Sequence, residues 1–301
     1  MLQFLPAPVL GTIMLLMLLL NTLFWVVPVY TLILLKLLTP SASAPRQFLS
    51  RAVAWNAQRW AVINAWAANT LLGVEWDIRI DADLRKDGQY LVCCNHQTWT
   101  DIVVLMRTFG SQAPFFKFFL KQELIWVPLL GLAWWGLDYP FMKRYTRDQI
   151  AKRPELAGKD LETTKRACDR FKNQPVMILN FLEGTRFTAE KHARQSSPYA
   201  HLLKPKSGGF AFAMAAMGER LNCLLDITIV YPQGAKGQWD FLAGRVRKVI
   251  VDVKQVTIPA ELFEGQYDRD PAFRAQFHRW VGRLWSEKDQ KIKALLAQAN
   301  A

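Results

Sequence analysis

Tyr90-Leu91-Val92-Cys93-Cys94-Asn95-His96-Gln97-Thr98-Trp99-Thr100-Asp101-Ile102-Val103-Val104-Leu105 carries the change of pattern on which the fold turns. Residues 90–94 are a continuous apolar run, as expected of a strand buried on both faces, and residues 102–109 read as a helix. A strand that feeds a helix through a short polar turn belongs to an α/β sheet, and open α/β sheets place their sites at the carboxyl ends of their strands. His96 sits on that turn.

Asp101 lies five positions beyond His96. On one ideal helix this spacing separates two side chains by roughly 140°, too far for contact. If the helix starts after the histidine, with Thr98 as N-cap, the carboxylate occupies its first turn and can fold back to the imidazole. Thr98-x-x-Asp101 also fits a capping box, in which the acid does no more than cap a helix. Both readings are open at this point. As a dyad, the pair suits removal of a proton from an alcohol: imidazole titrates near neutrality, and a carboxylate on its other nitrogen fixes the tautomer and stabilises the imidazolium. No serine or cysteine nucleophile is then needed.

Further apolar or alternating stretches predict strands over 76–81, 176–182, 225–231 and 246–253, interleaved with helices over 154–172 and 210–221 and a charged amphipathic helix over about 271–299. The fold class is α/β, a mixed sheet flanked by helices. The stretch 115–142 mixes Phe115, Phe116, Phe118, Phe119, Trp126, Trp134 and Trp135 with Lys117 and Lys121, and reads either as a core element or as a membrane-contacting surface.

Ahead of this domain, no charged side chain precedes Lys36. The apolar segment exceeds the roughly 20 residues that span a bilayer and lacks the basic start of a cleaved signal. Asn21 and Pro28 leave a spanning helix and a re-entrant helix pair equally open. Residues 1–39 are the expected anchor and 40–301 the catalytic domain, joined by a Pro/Ser/Ala linker and a Trp-rich helix over 48–72. Lys36, Arg46, Arg51 and Arg59 follow the apolar segment before the first acidic residue, Glu75, which places the domain on the cytoplasmic side of an inner membrane.

The net charge of +13 and the 12 Trp suit an anionic membrane surface. Nucleic acid competes for the same charge, but the aromatics cluster in apolar stretches and not on a basic face, so no nucleic acid is expected. A membrane-tethered, non-enzymatic protein that binds RNA or another anionic partner is the alternative function. The four cysteines, Cys93, Cys94, Cys168 and Cys223, show no C-x-x-C pair and no zinc spacing. Cys93 and Cys94 are adjacent on a strand and point to opposite faces.

A second constellation, Phe181-Leu182-Glu183-Gly184-Thr185-Arg186, also ends a buried strand and projects to the edge that carries His96. Gly184 permits a tight turn. Arg186 suits bidentate contact with phosphate, and Glu183 can hold a substrate hydroxyl or orient the arginine. The bland reading is a surface turn with a weak ion pair. Phe141-Met142-Lys143-Arg144, with Lys121 upstream, and Leu203-Lys204-Pro205-Lys206-Ser207-Gly208-Gly209 are further candidates for phosphate contact.

In this order the blocks resemble the glycerolipid acyltransferase family, which includes the 1-acylglycerol-3-phosphate acyltransferases. Its His-x-x-x-x-Asp block is similar to residues 95–101, its aromatic block closing on Arg to residues 136–144, its Glu-Gly-Thr-Arg block to residues 183–186, and its apolar block ending near Pro to residues 227–232. The resemblance runs from about Leu91 to Pro232. Leu182 stands where the family usually has Pro, and Thr228 departs from its fourth block. Residues 121–128 resemble the branch that includes bacterial inner-membrane and eukaryotic lysophospholipid acyltransferases. The resemblance implies His96 as base with Asp101 as partner, phosphate contacts from Arg144 and Arg186, and acceptor binding by Glu183, Gly184, Thr185 and Lys121. Its implied substrates are a lysophospholipid such as lysophosphatidic acid and acyl-CoA or acyl-carrier protein, with the acyl chain in an apolar groove near the aromatic segment and no metal or organic cofactor.

Overall fold

The computed structural model describes residues 4–40, 43–110, 112–142, 152–153, 162, 175–218, 221, 223–263, 265–267 and 269–300. The helix expected over 154–172, Cys168 and Arg144 lie outside the described residues.

Six strands form the main sheet: β1 (Glu75–Asp81), β2 (Gln89–Cys94), β3 (Phe116–Phe118), β6 (Val176–Phe181), β7 (Cys223–Val230) and β8 (Lys248–Val256). Their order is β1-β8-β7-β2-β6-β3. All neighbours are parallel except β7 and β8. Two short strands, β4 (Leu120–Lys121) and β5 (Phe141–Met142), pair separately. The central strands are largely apolar because both faces are covered; Asn180 in β6 and Asp226 and Thr228 in β7 are the polar interruptions.

Among the described residues the α-helices are α1 (Ala7–Leu37), α2 (Ala44–Leu71), α3 (Thr100–Phe109), α4 (Leu130–Gly136), α5 (Ala189–Gln195), α6 (Ser207–Met217), α7 (Gln238–Leu242) and α8 (Pro271–Asn300). On one face Tyr90, Val92 and Cys94 pack with Val104 and Phe109 of α3, Phe241 of α7, and Leu10 and Met14 of α1. On the other, Leu91 and Cys93 pack with Phe210 of α6 and Phe277 and Trp285 of α8. The adjacent cysteines thus enter opposite cores, and burial pushes both thiols well up.

The N-terminal segment is one continuous helix running through Pro28, not a kinked pair. By length and composition it can cross a membrane. Asn21, inside α1, bonds the Trp60 carbonyl and the Asn64 side chain of α2. The division at residues 39 and 40 therefore falls in the turn of a packed hairpin. Both ends of α1 also rest on the rest of the chain. Leu10 and Met14 join the core beside Phe241, and Gly11 lies against the Trp239 ring. At the other end Lys36 is 5% exposed, where it pairs with Asp138 at 2.6 Å and donates to the Gly136 carbonyl. Expected as a solvated flanking charge, it faces inward instead.

The aromatic stretch divides between its two readings. Phe116 and Leu120 are core, whereas Trp126 is 84% exposed and Leu129, Leu132 and Trp135 also face outward.

Candidate active site

β2 and β6 lie in parallel register with Cys94 opposite Phe181, so the turns that follow them leave the sheet at the same height. His96 stands two residues past the first strand and Glu183 two past the second. Beyond the end of β2, Asn95 continues the pairing to β7 with its side chain: Nδ2 donates to the Ile229 carbonyl and Oδ1 accepts from the Ile229 amide, each at 2.9 Å. The turn that presents His96 is therefore tied to the strands on both sides.

Asp101 is fully buried in the first turn of α3. Its Oδ2 meets His96 Nδ1 at 2.8 Å and accepts from the Gln97 amide at 2.7 Å and the Thr98 amide at 3.0 Å. Its Oδ1 accepts from the Tyr231 hydroxyl at 2.8 Å. The helix starts after the histidine, as the dyad requires, but with Trp99 and not Thr98 in the N-cap position and no side-chain cap; the carboxylate nonetheless accepts from the Thr98 amide. One carboxylate oxygen thus meets both the imidazole and that amide. Thr98 does not complete the reciprocal bond; its hydroxyl donates to the Lys236 carbonyl.

The His96 side chain is 16% exposed and stacks on Phe181, with ring centroids 4.0 Å apart. With Nδ1–H held by the carboxylate, Nε2 carries the lone pair, and no described residue bonds it. A neutral imidazole so fixed can accept a proton from a group placed at the sheet edge.

Glu183 is also fully buried. Oε1 accepts from the His96 amide at 2.8 Å and Oε2 from the Leu203 amide at 3.0 Å. Burial pushes its carboxyl up to about 7 despite these two bonds. The expectation that it holds a substrate hydroxyl or orients Arg186 is corrected: both oxygens are turned inward and occupied by backbone. Gly184, at φ +67, makes the turn, with the Lys206 chain against its open side. Thr185 accepts from Lys191 Nζ, which also donates to the Arg186 carbonyl. Arg186 is exposed and lies 5.1 Å above the Trp99 ring. His96, Asp101, Glu183, Gly184, Thr185 and Arg186 thus converge on one edge. Lys121 does not join their bonded cluster among the described residues; it is exposed on β4. Sequence reading missed Tyr231, although it closes the fourth block, immediately before Pro232. His192 bonds the Tyr199 carbonyl, and His278 lies beside Tyr267.

An apolar groove runs between α1, α2, α3 and α7, lined by Met14, Met17, Ala68, Trp99, Val103 and Phe241. It borders the turn of the dyad through Trp99. A second one reaches Phe115 and Phe116, at the start of the aromatic segment where an acyl groove was expected.

Among proteins of known function, the 2-acyl-1-lysophosphatidylinositol acyltransferase of Saccharomyces cerevisiae is 24% identical over 249 residues, 70% of this chain and 62% of that protein. Lysocardiolipin acyltransferase 1 of Danio rerio is 26% identical over 277 residues, 86% of this chain and 65% of that protein. The chain thus spans less than two-thirds of either relative's length. A solved structure, the 1-acyl-sn-glycerophosphate (LPA) acyltransferase PlsC from Thermotoga maritima, aligns over 89% of this chain and 96% of that one at 18% identity and a TM-score of 0.46. The acyltransferase family model matches residues 76–232, the span that runs from β1 through the dyad and the Glu183 turn to Tyr231 and Pro232, and by that match the chain belongs to the acyltransferase family.

Proposed function

We propose that this protein transfers a fatty acyl group from a thioester, acyl-CoA or acyl-carrier protein, to the free hydroxyl of lysophosphatidic acid or a related lysophospholipid. The observation that carries this reading is the His96–Asp101 dyad with Nε2 unpartnered at the sheet edge. The lysophospholipid acyltransferase names of the relatives support the acceptor class.

In the proposed reaction Nε2 takes the proton of the acceptor hydroxyl as its oxygen attacks the thioester carbonyl. The tetrahedral adduct then collapses with cleavage of the carbon–sulfur bond, and the thiolate recovers the proton from the imidazolium. Products are an ester and a free thiol. Asp101 stabilises the transient imidazolium. Glu183 holds the His96 backbone at the height of the second strand end, and Arg186 receives the acceptor phosphate; the family resemblance adds Arg144. The groove beside Trp99 takes an acyl chain. Because the thioester is already activated, the reaction calls for no metal or organic cofactor.

The same reading sets the hairpin in one leaflet of the membrane, with the site on the cytoplasmic side. A helix crossing the bilayer would carry one end away from the domain, yet both ends of α1 are docked on it. Arg51 and Arg59 on α2 would meet hydrocarbon if the hairpin spanned, at roughly 2.5 kcal/mol or more for each charge at the bilayer centre.

The test is transfer from labelled acyl-CoA and acyl-carrier protein to a panel of lysophospholipids by wild type and His96→Ala at matched abundance. Wild type alone should acylate lysophosphatidic acid, with the variant's melting temperature within a few degrees. Equal inertness of both across the panel would sink the reading in favour of a membrane-tethered binding protein.

A further inference from the structure

The hairpin carries a cluster that the reaction does not use. Its sequence contains no carboxylate before Glu75, so its cations must find other partners. Lys36 finds Asp138, and Arg46 donates to the Lys36 and Thr39 carbonyls. Arg59 has neither kind of partner among the described residues. Its guanidinium lies over the Trp55 ring, 5.4 Å from the centroid, and its Nε is buried without an acceptor. From α1, Trp25 meets the same Trp55 ring edge-on at 6.2 Å, and the Trp25 Nε1–H is likewise buried without an acceptor.

Two unmet donors from two helices, one on a full positive charge, flank one indole. A buried donor left without an acceptor costs more than an exposed cation–π contact returns. What the cluster lacks is an anionic acceptor. Its surroundings say what else that acceptor carries: Phe24 is 67% exposed, Val27 64% and Trp55 53%, an apolar rim that suits hydrocarbon. A phosphate oxygen fits the donor set, since guanidinium binds phosphate with a fork of N–H groups. An amphiphile fits the rim.

We propose that Arg59, Trp25 and Trp55 bind the phosphate of one glycerophospholipid, at a site separate from His96. Gln58, beside Arg59, donates to the Gly110 carbonyl at the end of α3 opposite Asp101, and nine helical residues put about 13 Å between those ends. The bound lipid is thus a fixed neighbour of the hairpin and not the acyl acceptor. This rests on the hairpin facing lipid and not on the reaction assigned to His96.

The test is native mass spectrometry of the full chain in detergent micelles, titrated with phosphatidylglycerol, with diacylglycerol and with inorganic phosphate. One phosphatidylglycerol should bind wild type and no diacylglycerol. Arg59→Gln should weaken it at least tenfold, Arg59→Lys and Trp25→Phe severalfold, and Arg51→Gln, an equal loss of charge on the same helix, by less than twofold. Acyl transfer to a short-chain acceptor should be unchanged in Arg59→Gln. Equal effects of Arg59→Gln and Arg51→Gln would overturn the site as mere charge attraction, as would no effect of either. Displacement of the lipid by millimolar inorganic phosphate would overturn the lipid as its occupant. If Arg59→Gln does not fold, the same comparison between Trp25→Phe and Arg51→Gln decides. A protein that binds the lipid but transfers no acyl group would sink the proposed function and leave this site standing.

Discussion

Asp101 should fail in two different ways depending on what replaces it. Its carboxylate serves four donors: His96 Nδ1–H, two backbone amides and the Tyr231 hydroxyl. In Asp101→Asn the amide oxygen can take the place of Oδ2 and keep both backbone bonds, while the Tyr231 hydroxyl turns to accept from the new NH₂. Geometry survives, so stability should change by about 1 kcal/mol or less, the scale of one altered hydrogen bond. The negative charge opposite the imidazolium is lost, and the same change in a Ser-His-Asp triad costs about 10⁴ in rate, or roughly 5.5 kcal/mol of barrier. In Asp101→Ala the two amides and the phenol are stranded in a fully buried site. At about 1–3 kcal/mol each that is at least roughly 3 kcal/mol, and on the order of 10 °C in Tm for a chain of this size. The assay pairs kcat for acyl transfer with thermal unfolding of both variants in the same detergent. Equal Tm values for the two would show that the carboxylate does not hold the turn. An Asn variant with the wild-type rate would show that it does not serve His96.

Glu183→Gln should flatten the pH dependence of stability. The Glu183 carboxyl titrates at about 7 in the fold against about 4.3 in an unfolded chain, so its contribution is fully present below the unfolded value and is lost as pH rises through 7, about 4 kcal/mol over the window; chemical denaturation of wild type and variant from pH 4 to 8 should differ in slope, and parallel curves would refute the burial argument. Gly131→Ala should destabilise by about 1–3 kcal/mol, because its Cβ would strike the Ile125 carbonyl, backbone that cannot swing aside; a Tm within a degree of wild type would refute the close approach of Gly131 to Ile125.

The strands at the heart of the sheet were legible because parallel strands covered on both faces read as apolar runs, as in residues 90–94 and 176–179. The dyad was legible as a condition: it required the helix to begin after His96, and it does. The cap and the dyad were not exclusive alternatives, since one carboxylate oxygen meets both the Thr98 amide and the imidazole. Glu183 was misread because a charge on a strand-end turn is ordinarily taken to face solvent; only the register of β2 against β6 shows its carboxylate under the neighbouring turn. Tyr231 reaches Asp101 across 130 residues, and no local pattern announces such a contact. Lys36 was taken as a flanking charge because its partner, Asp138, lies 102 residues away.

The docking of both ends of α1 also has a cost in time during synthesis. The helix is made first, but Asp138 and the Trp239 to Ala243 turn that receive it are among the residues made later. At about 5–20 residues per second, some 10–40 s separate the emergence of α1 from that of its last partner. A 31-residue apolar helix cannot wait that long in water without associating with something. It must be held in lipid or by a chaperone while the sheet is translated, so the order of the chain commits the nascent protein to its apolar surroundings before a catalytic site exists.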